Sequence, residues 1–134
     1  MNKAEIIEKL KALVKPYIKN QEAFDNLTET TDFINFKIYG PISEPSNKDC
    51  ALFPDKIGGY YWKVDRPTAE TRRDIWISRS PDLIHWGGYK ILQEPELGTW
   101  EQDKIGSSSN PIKTKDGWLM LYHGVRSFGT GSIY

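Results

Sequence analysis

Cysteine is almost missing from this chain: its 134 residues hold one, Cys50. No intrachain disulfide can form, and no cysteine pair has the spacing of metal ligands. Net charge is missing too. Eighteen basic residues balance eighteen acidic ones, which removes the long-range pull that draws basic proteins to nucleic acid or anionic membranes. The stretch from Met1 to Lys11 also lacks the unbroken apolar run of a signal peptide or membrane span, because Lys3, Glu5, Glu8, Lys9 and Lys11 interrupt it. Together these absences predict a cytoplasmic location, with neither nucleic acid nor membrane as a partner.

What the chain has in quantity is aromatic residues, 13% of the total, with five Trp and seven Tyr. Such rings suit a β core, and they also stack on the apolar C–H faces of sugars. Composition alone leaves both readings open. The length is that of one domain with a modest core.

Two regions differ in pattern. Ile6, Ile7, Leu10, Leu13, Val14, Tyr17 and Ile18 fall at helical spacing between Lys and Glu residues, predicting an amphipathic α-helix over 3–20 that Pro16 kinks or ends. Such a helix packs on its own domain, or serves a partner or membrane surface. From about residue 27 the pattern is β, which divides the chain into a helical segment, 1–26, and a β region, 27–134. Tyr60-Tyr61-Trp62-Lys63-Val64 follows the hairpin signal Gly58-Gly59, and Trp118-Leu119-Met120-Leu121-Tyr122 follows Asp116-Gly117. Asp74-Ile75-Trp76-Ile77-Ser78 predicts another strand.

An internal repeat organises this region. Thr30-Thr31-Asp32-Phe33-Ile34-Asn35-Phe36 recurs fifty residues later as Ser80-Pro81-Asp82-Leu83-Ile84-His85-Trp86. The Asp is expected to cap a turn with its side chain. Units of about 40–50 residues with several short strands are the mark of propeller blades. The fold class is therefore all-β, a partial β-propeller preceded by the N-terminal helix. About two blades are present where closed rings have about four to eight. Either other copies complete the ring in an oligomer, or the chain is a fragment with missing blades.

Several segments carry a resemblance. Asn47-Lys48-Asp49-Cys50-Ala51-Leu52-Phe53-Pro54-Asp55-Lys56-Ile57, Val64-Asp65-Arg66-Pro67, the stretch from Asp74 to Gly87, Lys104-Ile105-Gly106 and Gly117-Trp118-Leu119-Met120-Leu121-Tyr122-His123-Gly124-Val125 are similar, in order, to motifs of glycoside hydrolase family 130. The resemblance covers roughly residues 27–134. It implies a five-bladed propeller with its active site in the central channel. It further implies an inverting β-1,4-mannoside phosphorylase that uses inorganic phosphate as co-substrate and releases α-mannose 1-phosphate, with no cofactor and no metal. Other members of the family are β-mannoside hydrolases, which tend to lack the phosphate-binding basic residues. An attacking phosphate dianion needs fixed cationic donors, preferably including a planar Arg. By resemblance, Lys48, Arg66, Lys104 and His123 provide them, while Asp49 and Tyr122 line the pocket for the mannoside. His85 occupies the turn position of Asn35 and is read as structural. Ser107-Ser108-Ser109 has no Gly-x-Ser-x-Gly elbow around it and is read as a loop.

The match is incomplete. The family's general acid, an aspartate in a Tyr-Asp-Gly context upstream of the first repeat motif, has no counterpart, and Asp25 sits too near that motif to replace it. Losing the proton donor forfeits roughly 10²–10⁴-fold in rate. The family also continues past the position of Tyr134, and it has a Gly-rich and Pro-rich loop where this chain has Ser107-Ser108-Ser109-Asn110. No catalytic residue is assigned, and the polypeptide alone is expected to be inactive. Two other readings stay open: a β-mannoside hydrolase, and a non-catalytic carbohydrate-binding or interaction module.

Overall fold

The computed structural model describes Glu5 and residues 26–44, 46–68, 73–126 and 132–133. The helix expected over 3–20 lies outside the described residues, Glu5 apart. From residue 26 onward every regular element among the described residues is a β-strand, and the chain divides into two compact units, 1–46 and 47–134.

The first unit contains the antiparallel pair β1 (Asn26–Glu29) and β2 (Lys37–Pro41). The first copy of the repeat motif joins them. One carboxylate oxygen of Asp32 accepts the backbone N–H groups of Ile34 and Asn35, both at 2.8 Å, and the other accepts the Asn35 side-chain amide at 2.7 Å. Phe33 takes a left-handed φ of 56°, a conformation that the capped turn holds in place.

The second unit opens with a four-stranded antiparallel sheet in sequential order: β3 (Asn47–Leu52), β4 (Tyr61–Pro67), β5 (Ile75–Ser80) and β6 (Gly87–Gln93). Gly58 and Gly59, with φ of 60° and 84°, make the two-residue turn before β4, closed by Ile57 N–H on the Tyr60 carbonyl at 2.9 Å. The second repeat copy makes the β5–β6 turn in the same way as the first. Asp82 accepts Ile84 N–H at 2.9 Å and His85 N–H at 2.8 Å, Leu83 has φ 69°, and the His85 ring meets the other carboxylate oxygen at 2.7 Å. His85 thus does in this turn what Asn35 does in the other.

The remaining strands are β7 (Lys104–Ser107), β8 (Ile112–Thr114), β9 (Gly117–Leu119), β10 (Tyr122–Val125) and β11 (Ser132–Ile133). They form a three-stranded sheet, β11-β10-β7, and a β8-β9 hairpin. Trp118 to Tyr122, expected as one strand, is two. Met120 packs against the core and the Leu121 carbonyl accepts Ser108 N–H at 2.9 Å, so the chain bends as it passes from one pairing partner to another. The β8-β9 turn is Lys115-Asp116, and Gly117 opens β9, one residue off the expected position.

Ala51, Val64, Ile75 and Ile105 form the buried core between the four-stranded sheet and β7, with Phe53, Ile77, Met120 and Tyr122 around them. Each large apolar side chain buried there contributes about 1.5–3 kcal/mol. The β3-β4 ladder is irregular: Lys48 pairs with Arg66 and Ala51 with Val64, so Asp49 and Cys50 together oppose Asp65. That is a β-bulge, and Asp49 takes a φ of 57° within it. On the opposite side of β4, Lys63 and Asp65 form a buried ion pair, and the Lys63 ammonium sits 5.3 Å from the Trp86 ring centroid.

Candidate anion-binding site

Arg66 is the centre of the site. It ends the buried part of β4, is 2% exposed, and lies on the same face as Val64. Its Nη1 donates to the Ile105 carbonyl at 3.1 Å and lies 2.8 Å from Asp49 Oδ2 and 3.3 Å from His123 Nε2. The bulge presents the Asp49 carboxylate to Arg66, and the Ser107 hydroxyl, donating to the Asp49 carbonyl, holds that backbone in place. His123 reaches the same group from β10, its Nε2 3.5 Å from Asp49 Oδ2 and its Nδ1 3.3 Å from the Ser108 hydroxyl.

These side chains meet because Gly106 leaves room. It pairs with His123 across β7 and β10. A methyl group on it would come within 2.6 Å of Arg66 Nη1 and 2.8 Å of His123 Cε1, and closer still to the Asp49 carboxylate.

Lys48 and Lys104 complete the cationic group. Lys48 pairs directly with Arg66 in the ladder, and Lys104 pairs with Val125 two positions from Gly106 on the same face. Partial burial, followed by the charges of Arg66, Arg73 and Lys48, pushes the Lys104 ammonium below its ordinary range, with Asp49 opposing. Burial likewise lowers Arg66, Asp49 pulls it back and Arg73 lowers it further; a guanidinium starts so high that it stays charged. Among the described residues, Arg66 Nε has no hydrogen-bond partner, and the Asp49 Oδ2 contacts are ionic rather than aligned hydrogen bonds. A buried donor left over in a cationic cluster is what an incoming oxyanion would satisfy.

Five of the six residues singled out from the sequence, Lys48, Asp49, Arg66, Lys104 and His123, therefore come together. Tyr122 stands apart. Neighbours on a strand point to opposite faces, so Tyr122 turns away from His123 and packs against the core. Its hydroxyl donates to Glu101 Oε2 at 2.8 Å, its ring lies 5.7 Å from that of Trp100, and burial first, then the Glu101 bond, raises its pKa. The structure adds two contributors: Gly106 and the Ser107-Ser108 pair. The Ser run is only partly a loop, since Ser107 closes β7. Among the described residues no His, Cys, Asp or Glu cluster could hold a metal ion.

The family model described as β-1,4-mannooligosaccharide phosphorylase matches residues 17–134. The chain belongs to glycoside hydrolase family 130. Within it, the chain is 42% identical over 103 residues to a β-1,2-mannobiose phosphorylase of Listeria innocua, covering 75% of this chain and 29% of that protein. It is 39% identical over 108 residues to a β-1,4-mannooligosaccharide phosphorylase of Ruminococcus albus, covering 78% and 32%. The solved complex of the Listeria enzyme with β-1,2-mannobiose superposes with a TM-score of 0.78 at 38% identity, over 82% of this chain and 32% of that one. A glycosyl hydrolase of Bacteroides ovatus shares the fold at a TM-score of 0.60 and 18% identity. The chain thus spans about a third of the length of these relatives, with the all-β, propeller-like fold of family 130.

Proposed function

We propose that this chain is the phosphate-binding part of a β-mannoside phosphorylase and supplies about two blades of a five-bladed ring. The observation that carries the reading is the meeting of Arg66, His123 and Asp49 over Gly106, with Lys48 and Lys104 at neighbouring ladder positions. In this reading they hold inorganic phosphate while one of its oxygens attacks the anomeric carbon of a β-mannoside. The C–O bond to the departing sugar breaks, the configuration inverts and α-mannose 1-phosphate leaves. The departing oxygen needs a proton, and neither Asp49, engaged by Arg66, nor Tyr122, turned to Glu101, is placed to supply it. The 134 residues by themselves then bind phosphate without turnover, and remaining blades, from a longer chain or other copies, complete the catalyst. A β-1,4 linkage follows the family description; the names of the Listeria and Ruminococcus relatives show that β-1,2 and β-1,4 substrates both occur. A cytoplasmic setting without cofactor fits the single cysteine and the phosphate chemistry.

The cationic cluster favours phosphorolysis over hydrolysis, since water needs no such charge to attack. Thermal melting with and without inorganic phosphate tests the reading. A ligand at 100 times its Kd stabilises the folded state by about 2.7 kcal/mol, and Arg66→Ala should abolish that shift. An Arg66→Ala protein that responds to phosphate as the parent does refutes the assignment.

A further inference from the structure

We infer that Asp49 makes the site select a protonated tetrahedral oxyanion, hydrogen phosphate, over sulfate, a dianion of the same shape that carries no proton. The inference rests on the phosphate-binding reading above. It gives Asp49 a part in that reading, as the group that recognises P–OH, in place of the sugar-binding role expected from the sequence.

The protons around Arg66 do not match the acceptors around it. Nη1 holds two N–H groups. One donates to the Ile105 carbonyl at 3.1 Å, which leaves one for Asp49 Oδ2 at 2.8 Å and His123 Nε2 at 3.3 Å. A guanidinium only donates, so Nε2 meets it with a lone pair. The ring proton then sits on Nδ1, where the Ser108 hydroxyl accepts it at 3.3 Å. Asp49 Oδ2 and His123 Nε2 are thus two acceptors, 3.5 Å apart, with a single proton to share. The buried Oδ2 makes no aligned hydrogen bond among the described residues, and Arg66 Nε has the opposite deficit, a buried N–H with no acceptor. The site lacks one donor on the Asp49 side and one acceptor on the Nε side.

Hydrogen phosphate supplies both. Oδ2 and Nε are linked through Nη1 by one ion pair and two short C–N bonds, which puts them at most about 5.5 Å apart. A tetrahedral oxyanion with hydrogen bonds of about 2.7–2.9 Å at two of its corners spans that separation. One oxygen accepts from Nε while the P–OH donates to Oδ2, a carboxylate oxygen with room for a second donor. Sulfate fills the Nε side but sets an unprotonated oxygen against the carboxylate, leaving the acceptors unsatisfied and like charges in contact. The bulge fixes this arrangement, holding Asp49 at a φ of 57° with the Ser107 hydroxyl on its carbonyl.

The test is calorimetric titration of the parent chain, Asp49→Asn and Asp49→Gly with inorganic phosphate and with sulfate, at a mildly alkaline pH where both are dianions. The parent should bind phosphate at least about thirtyfold more tightly than sulfate. Asparagine keeps the size of Asp49 and tolerates the left-handed φ, but its amide can donate. Asp49→Asn should therefore bring the two affinities within about threefold of each other. The ratio reports what a structural or bulk-charge role would not move, since a loosened fold or a lost negative charge shifts both dianions alike. If the Asn variant melts early, Asp49→Gly, which also accepts the φ, takes its place. A parent that binds the two dianions equally, or a variant that keeps the parent's ratio, overturns the inference and leaves the phosphate reading standing. A parent that binds neither removes that reading and this inference with it.

Discussion

Gly106→Ala is the sharpest probe of how the site is built. Gly106 carries no positive φ, so its backbone accepts alanine and the whole effect is steric. The added methyl would sit 2.6 Å from Arg66 Nη1 and 2.8 Å from His123 Cε1, where ordinary contact begins at 3.4 Å. Both groups must retreat by roughly 0.6–0.8 Å, and the Asp49 carboxylate by more. None of them moves freely: Arg66 is tied to the Ile105 carbonyl, and Asp49 is fixed in the bulge by Ser107. Overpacking of this kind costs about 1–3 kcal/mol, a fall of roughly 4–12 °C in melting temperature for a chain of this size. Displaced donors should also weaken phosphate at least about tenfold. Gly124→Ala supplies the control. Its methyl group would strike Trp100 and Glu101 rather than the site, so it should lower the melting temperature while leaving the phosphate Kd of the folded protein unchanged. Calorimetric titration and melting of the two variants separate these effects. A Gly106→Ala protein with the parent's phosphate affinity would refute the idea that this glycine makes room for the cluster.

Further tests address other parts of the molecule. Tyr122→Phe removes the donor to Glu101, which is 6% exposed; it should cost about 1–3 kcal/mol in denaturant unfolding and leave the phosphate titration unchanged. A changed phosphate Kd would instead return Tyr122 to the binding pocket. The lowered pKa of Lys104 means that the unfolded chain binds more protons than the folded one between that pKa and 10.5. Stability should therefore rise with pH through this window, and Lys104→Met should flatten the rise in denaturation curves. Phosphate affinity should fall over the same window, because the anion favours the protonated amine. The backbone N–H and ring of His85, then the Ile84 N–H, hold the Asp82 carboxyl far below its ordinary range. Asp82→Ala should consequently lower the melting temperature more than Asp116→Ala, whose carboxylate is 80% exposed and 3.7 Å from Lys115.

The parts of the fold that depend on local chemistry were legible in the sequence. An Asp two residues before an Ile and three before an Asn or His specifies a capped turn through its own side chain, and both copies adopt it. Gly58-Gly59 likewise marks a turn whose φ values other residues resist. The division of Trp118–Tyr122 was hidden, because a continuous apolar run does not reveal that its halves pair with different strands. The separation of Tyr122 from His123 was within reach, since strand alternation forbids adjacent residues a common face. The bond from the Ser107 hydroxyl to the Asp49 carbonyl gave no local signal, because it joins positions fifty-eight residues apart in the chain that only the folded sheet brings together.

The bulge at Asp49 and Cys50 also acts as a phase shifter. Lys48 and Ala51 are an odd number of residues apart, yet each stands opposite a β4 residue on the core side, Arg66 and Val64. In a regular strand one of the two would project the other way. The bulge absorbs the extra residue, so that a lysine beside Arg66 at one end and an alanine in the core at the other keep one face. A segment one residue shorter would pair regularly and hold both on that face, but it would lose the irregularity that turns a carboxylate onto Arg66, so the length of this segment constrains its chemistry as firmly as the identity of any side chain within it.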